Sequence, residues 1–278
     1  MKKLKNNFYS GINVLLTGAS SGIGRKLALQ LLDYGANVFA VSRDISKLQE
    51  LALQTKNKPG KLLIFSADVS KYENCKLILE DFSRNFNKLD LLINNAGLGH
   101  FSAFLFTKKE DYEYIIQTNL MAPLYLTQLF FSLLKKSNKG RIVNICSNGA
   151  FYGIPFRSIY CSAKAGLRAW SQALSLELKY FGIELFTVIP GSTKTSFFDN
   201  QIGKAPKAHR IPGKIELPEV LAAKVLKDVQ GRGKELNYAL SSRAILYLSV
   251  LIPGLLKKII GRAVKSEEED VYRFLKNE

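Results

Sequence analysis

The chain has 278 residues, 47% of them apolar, and a mean hydropathy of −0.00, enough for one large domain or two small ones around a substantial core. That balance is globular, and no run reaches the ~18 uncharged apolar residues that a membrane-spanning helix needs. The formal net charge of +17 suits an acidic partner, an anionic surface or an anionic substrate, and no nucleic-acid-binding motif accompanies it.

The opening MKKLKNNFYSGINVLLTG sets basic residues ahead of apolar ones, as a secretory leader does. Its apolar run covers only residues 12–16 and no cleavage-site pattern follows, so it reads as the start of a domain. Residues 12–17 predict a first strand, and LLTGASSGIG (15–24) then offers two readings. Gly18-Ala19-Ser20-Ser21-Gly22 fits G-x-S-x-G, the elbow of a nucleophilic serine. Extended to Gly24, it fits a glycine turn that holds the phosphates of a dinucleotide. An elbow needs an acid and a histidine downstream. Neither His100, in GLGHFSAF, nor His209, in a basic loop, has an evident acid partner. The phosphate reading explains more residues. Gly18 permits a sharp turn, Gly22 admits the pyrophosphate, and Gly24 lets a helix over 24–34 pack on the strand. The N–H groups of Ser20, Ser21, Gly22 and Ile23, with the helix dipole, then face the phosphates.

Residues 38–42 predict the second strand, which ends in VSRD. An acidic residue at that end would hold a free ribose hydroxyl and favour NAD. Ser42 and Arg43 instead tolerate and pair a 2′-phosphate, so NADP is expected. Asp44 lies past the strand end and caps a helix over 45–54. The third strand, 61–66, leads into SADVS, where Asp68 and Val69 are placed to meet adenine. Helices over 71–86, 109–135 and 158–180 alternate with strands over 90–93, 141–145 and 184–189. These strands are continuously apolar, and the alternation predicts a doubly wound parallel sheet flanked by helices. Residues 192–217 break the rhythm and read as a mobile lid. A helix over 217–229 and a strand over 234–240 complete a domain spanning 1–241.

Residues 242–278 form a separate tail. Residues 244–256 are uncharged and apolar apart from Pro253-Gly254; Lys257, Lys258, Arg262 and Lys265 follow, then acidic residues 267–270. That suits an amphipathic segment on a membrane surface, with packing against its own domain or a dimer partner as the alternative. Cys75, Cys146 and Cys161 lack CxxC spacing and read as reduced buried thiols of a cytoplasmic protein, at most peripheral to the inner face of a membrane. Two histidines are too few for a multi-histidine metal site, and no metal is expected.

TGASSGIG (17–24), NNAG (94–97), Asn119, Ser147, YCSAK (160–164) and PGSTKT (190–195) stand in one order and spacing. Over roughly residues 10–240 the chain therefore resembles the single-domain short-chain dehydrogenases/reductases. The resemblance implies a Rossmann-type fold and hydride transfer between a nicotinamide cofactor and alcohols or carbonyls. It implies that Asn95, Ala96 and Gly97 let backbone approach the cofactor, and that Pro190, Gly191, Thr193 and Thr195 fix its carboxamide. It also implies that Ser147 holds the substrate oxygen and that Asn119 kinks a helix and links Lys164 to solvent through a water.

Tyr160 and Lys164, four residues apart on a helix, share one face. A lysine charge ~4–5 Å from the phenol, at an effective dielectric of ~20, contributes about 3–4 kcal/mol, enough to draw its pKa from about 10 toward working pH. Lys164 can also reach the nicotinamide ribose. Cys146, where many relatives carry serine, is assigned no chemistry. Phe151, Tyr152, Ile154 and Phe156, with Phe101, Phe104 and Phe106, predict an apolar wall, half of it core. Phe197 and Phe198 open the lid. Together these favour reduction of a lipophilic ketone or aldehyde with NADPH. A 3-oxoacyl-carrier-protein reductase, whose acidic carrier would suit the charge, and a non-catalytic NADP(H)-binding scaffold are the rivals. Helices 109–135 and 158–180 are the expected surfaces of a homo-oligomer.

Overall fold

The structure, a computed structural model, describes residues 7–197, 201–203, 215–238, 247 and 251–262. Much of the expected lid, including Phe198 and His209, and residues 239–246, 248–250 and 263–278 of the tail lie outside the described residues. Seven parallel strands run in the order β3-β2-β1-β4-β5-β6-β7: β1 Asn13–Thr17, β2 Asn37–Ser42, β3 Leu62–Ser66, β4 Leu91–Asn94, β5 Arg141–Ile145, β6 Glu184–Ile189 and β7 Glu235–Asn237. This is the doubly wound Rossmann-type sheet the alternation predicted.

Successive side chains of a strand point to opposite faces, so each strand feeds two cores. Val14 and Leu16 of β1, Val38 and Ala40 of β2 and Phe186 and Val188 of β6 fill one core. Helices α1 (Gly22–Asp33) and α8 (Pro218–Asp228) cover that face through Leu27, Leu31, Leu221 and Val225. Leu15, Phe39 and Leu185 turn to the other face, where α3 (Tyr72–Asn85) and α5 (Ala122–Leu129) supply Ile78, Phe82 and Leu126. Every residue of β1, β4 and β5 is buried, which is why these strands lack the apolar–polar alternation of a sheet with one wet face. Helix α2 (Ile45–Thr55) begins at Asp44, whose carboxylate accepts the Lys47 N–H at 3.0 Å.

The expected continuous helix over 109–135 is broken. It divides into α4 (Lys109–Ile116), a π-turn (Gln117–Met121), α5 and α6 (Phe131–Lys135). Two causes coincide at the first break: Pro123 carries no N–H, and the Asn119 amide is drawn to the backbone of Leu98. α7 (Ser158–Glu177) ends in a 3₁₀ turn, Leu178–Phe181, closed by left-handed Gly182. Residues 253–262 of the tail are helical. Among the described residues no helix is long and apolar enough to cross a membrane.

Candidate active site

The sheet order reverses between β1 and β4, and a cleft of about 680 Å³ opens at the carboxyl ends of the strands there. Open α/β sheets bind ligands at such a switch point, because helix N-termini and loops converge on it. One end of the cleft is the turn after β1. Gly18 takes φ +66°, and a Cβ there would stand 2.8 Å from Asn95 Nδ2 and 2.9 Å from Ala96 Cα. A Cβ on Gly24 would stand 2.1 Å from the Gly18 carbonyl oxygen. α1 starts at Gly22, two residues before the expected helix, and Ser21 offers its N-terminus no side-chain cap. With no acid in its first turn, the helix presents N–H donors and positive partial charge to the cleft through Ser20, Ser21, Gly22 and Ile23.

Asn95 holds this turn in place. Its Nδ2 donates to the carbonyls of Thr17 (3.0 Å) and Gly18 (3.1 Å), and its own N–H donates to Thr17 Oγ1 (3.1 Å). Asn95, Ala96 and Gly97 line the cleft, as do Ser42, Arg43, Asp68 and Val69 beyond the turn and Pro190, Gly191, Thr193 and Thr195 opposite. Ser42 Oγ donates to Ser20 Oγ at 2.7 Å. The Thr193 hydroxyl donates to the Gly191 carbonyl at 3.0 Å, which leaves its oxygen free only to accept. The Thr118 hydroxyl, on the cleft wall, is buried with no hydrogen-bond partner. A left-handed turn, an uncapped helix N-terminus, a cation after β2 and an unsatisfied hydroxyl fit a phosphate-bearing dinucleotide.

At the other end, Ser147 leaves β5 and caps a 3₁₀ turn, accepting the Gly149 N–H at 3.2 Å. Its hydroxyl hydrogen-bonds the phenol of Tyr160, in the first turn of α7. Lys164, one turn on, is 4% exposed, and its Nζ donates to the Ile145 carbonyl at 2.9 Å. Asn119 is 0% exposed; its Oδ1 accepts the Leu98 N–H (2.7 Å) and its Nδ2 donates to the Leu98 carbonyl (2.8 Å). Gly97 sits between the two: a Cβ there would lie 3.2 Å from Asn119 Oδ1 and 3.7 Å from Lys164 Nζ. The hydrolase elbow is not built, because Ser20 is engaged by Ser42 and the His100 Nε2 lies 3.2 Å from Thr107 Oγ1.

Residues 13–205 match the short chain dehydrogenase family. The chain belongs to that family. It is 33% identical over 227 residues to the ketoacyl reductase HetN of Nostoc, covering 81% of this chain and 78% of that one. It is 32% identical over 251 residues to a very-long-chain 3-oxoacyl-CoA reductase of Ajellomyces capsulatus, covering 87% and 70%. A metagenomic short-chain oxidoreductase solved in complex with NADP superimposes with a TM-score of 0.69 at 25% identity, covering 83% of this chain and 99% of that one. Short chain dehydrogenases are oxidoreductases that act on hydroxyl and carbonyl groups of small molecules with a nicotinamide dinucleotide.

Burial dominates the electrostatics at the reacting end of this dehydrogenase. Burial pushes the Tyr160 phenol well above the usual tyrosine range, and the Ser147 hydrogen bond and the Arg157 charge recover only part of that. Lys164, one turn on, is buried beside it. Its own ammonium is disfavoured by burial and is held by a strand carbonyl. The Cys146 thiol, also pushed up by burial, donates to the Lys164 carbonyl at 3.2 Å.

The expected apolar wall is also redistributed. Ile154 and Phe197 line the cleft, and the Phe197 ring lies 5.9 Å from that of Tyr160. Phe101 and Phe156 are instead buried edge to face at 5.8 Å, and Phe151 packs on Cys146 and Ile189 under Arg168. Phe104 and Phe106 flank Leu105, 88% exposed, on a surface 3₁₀ turn. Alternation cannot tell these fates apart, because the segments are loops. Sequence reasoning missed Lys47, Asn148 and Arg157, which line the cleft, and Thr17, which ties the turn to β4. Lys47 had a signal: it stands one helical turn into α2, beside Arg43.

Proposed function

We propose that the chain reduces the carbonyl group of a small lipophilic molecule with NADPH, Tyr160 being the proton donor. The convergence of Ser147, Tyr160 and Lys164 on one wall, with an uncapped helix N-terminus and Arg43 at the far end of the same cleft, carries this reading. When bound, the reduced nicotinamide supplies a hydride to the carbonyl carbon. Ser147 holds the substrate oxygen, and Tyr160 gives it a proton as the C=O bond becomes C–OH. Lys164 and Asn119 border the gap above Gly97 through which a water would return that proton. Burial favours the neutral phenol, the form that donates the proton in reduction.

Arg43 after β2, with Ser42 rather than a carboxylate at the strand end, supports NADP over NAD. Ile154 and Phe197 near Tyr160 support an apolar substrate. A second reading, a 3-oxoacyl thioester, is favoured by the relatives named ketoacyl and 3-oxoacyl-CoA reductases and by the +17 charge. A panel of ketones, fatty aldehydes and 3-oxoacyl thioesters, scored by NADPH consumption in wild type and Tyr160→Phe, tests both. Turnover that survives Tyr160→Phe refutes the assignment of Tyr160 as proton donor; NADPH binding with turnover of none of them favours the scaffold reading.

The tail reading is peripheral contact with an anionic membrane surface. On the helix over 253–262, Leu256 is buried, while Leu255, Ile259 and the preceding Leu251 and Ile252 are exposed beside Lys258 and Arg262. Sedimentation with phosphatidylglycerol vesicles should lose the protein on Ile259→Glu. Homo-oligomer formation is read from Leu176, Tyr180 and Phe181, exposed at the end of α7, and light scattering of the purified protein tests it.

A further inference from the structure

Arg43 is not a loose surface arginine. Its Nη1 donates to the hydroxyl of Tyr114, on α4, and its guanidinium lies over the Tyr114 ring, 5.6 Å from the centroid. The same hydroxyl donates to Asp68 Oδ2 at 2.9 Å. Asp68 Oδ1 accepts the Ser70 N–H at 3.0 Å, so both carboxylate oxygens are engaged. The Arg43 carbonyl accepts from Ser66 Oγ at 3.1 Å, which fixes the backbone as well. Strand ends β2 and β3 and helix α4 thus meet in one chain of contacts, Arg43–Tyr114–Asp68, at the adenosine end of the cleft.

A phenol has one proton to give and lone pairs to receive, so it can join a cation to an anion without bringing them together. Among the described residues no ion pair joins Arg43 to Asp68; the carboxylate acts on the guanidinium across the phenol. A direct pair would occupy the donor faces that a phosphate needs. Lys47, the other cation of this end, shows the contrast: its Nζ lies 3.0 Å from Asp44 Oδ2.

We propose that Tyr114 is a specificity-determining residue for the cofactor's 2′-phosphate: relayed to Asp68, it holds Arg43 oriented and un-neutralised before the cofactor arrives. This rests on the NADP reading. The gain is preorganisation, since an arginine already held loses less freedom on gripping a phosphate.

The experiment is calorimetric titration of the full-length protein with adenosine 2′,5′-bisphosphate and with adenosine 5′-monophosphate, which differ only by the 2′-phosphate. Wild type should prefer the bisphosphate. Tyr114→Phe keeps the ring over Arg43 and removes the relay. It should weaken the bisphosphate about three- to tenfold, the scale of freeing one long side chain, and leave the monophosphate unchanged. In an Arg43→Ala background the same change should have no effect on either. Equal weakening of both ligands, no weakening of either, or a full effect without Arg43 would overturn the proposal. A wild type indifferent to the 2′-phosphate would instead sink the NADP reading itself, and the proposal with it.

Discussion

The two ends of the cleft are built differently. At the cofactor end, the turn after β1, the ends of β2 and β3 and the Asn95 segment are locked by hydrogen bonds between backbone and short side chains, with no room for a methyl group at Gly18 or Gly24. At the substrate end, the walls come from the 3₁₀ turn after β5, the residues before α7 and the chain beyond β6. There, among the described residues, the ring of Phe197 lies beside that of Tyr160, while Phe101 and Phe156 are buried as a pair and Phe104 and Phe106 are exposed. The fixed end is suited to a ligand that does not vary, the open end to one that does. Only between them, where Tyr160 and Lys164 stand on a single helix, do positioning and chemistry coincide.

That division ranks the effects of substitution. Tyr160→Phe removes the proton donor and leaves the cradle untouched, so kcat should fall about 10²–10⁴-fold while NADPH titration is unchanged. A parallel loss of cofactor affinity would mean the two ends are not separable. Gly24→Ala attacks the other end. Its Cβ would meet the Gly18 carbonyl oxygen at 2.1 Å and Asn95 Nδ2 at 2.4 Å, both held by neighbours, so the helix must shift. Overpacking of this kind costs about 1–3 kcal/mol, to be read as a lower Tm together with weaker cofactor binding. Retained cofactor affinity would show that the turn is not the phosphate cradle.

The same division explains what was legible in the sequence. Strand positions and the glycine turn could be read because burial on both faces forces apolar runs, and close approach of backbone to backbone forces glycine. Ser147, Tyr160 and Lys164 were readable from spacing on known elements. Phe101 and Phe156 were not, because whether a loop aromatic faces a cleft or a neighbouring ring depends on contacts between distant segments, here an edge-to-face pair. Phe156 even adopts φ +61°, a conformation rare for a bulky residue and invisible in the letters PFRS. The resemblance implied the kink at Asn119, which the π-turn shows, but not its partner Leu98, 21 residues away. Helical spacing gave Tyr160 and Lys164 a shared face, but not the Ile145 carbonyl that accepts from the Lys164 ammonium.

A smaller effect sharpens the account of the cofactor end. Arg43→Ala should weaken NADPH binding about 10–100-fold, as expected for one or two hydrogen bonds to a charged group, and change NADH binding little. Fluorescence titration of both dinucleotides measures it. Equal losses for the two would mean that Arg43 supports the strand end and does not read the 2′-phosphate.

The smallest effect concerns protonation at the open end. Burial raises the Tyr160 pKa, so the neutral phenol persists through neutral pH and into the alkaline range. Reduction, which starts from the neutral phenol, should therefore show no loss from Tyr160 across that window. Alcohol oxidation, which starts from the phenolate, should rise with pH and still be rising where the protein remains folded. Lys164 moves oppositely, since burial disfavours its ammonium. The Ser147 hydrogen bond favours the phenolate, so Ser147→Ala should carry the oxidative rise to higher pH, in addition to lowering the rate. Oxidative profiles of the wild type and Ser147→Ala, measured with one alcohol, decide it. A rise that levels off near neutrality in the wild type would mean that the phenol is far more acidic than its burial allows, and that another positive charge reaches it during turnover.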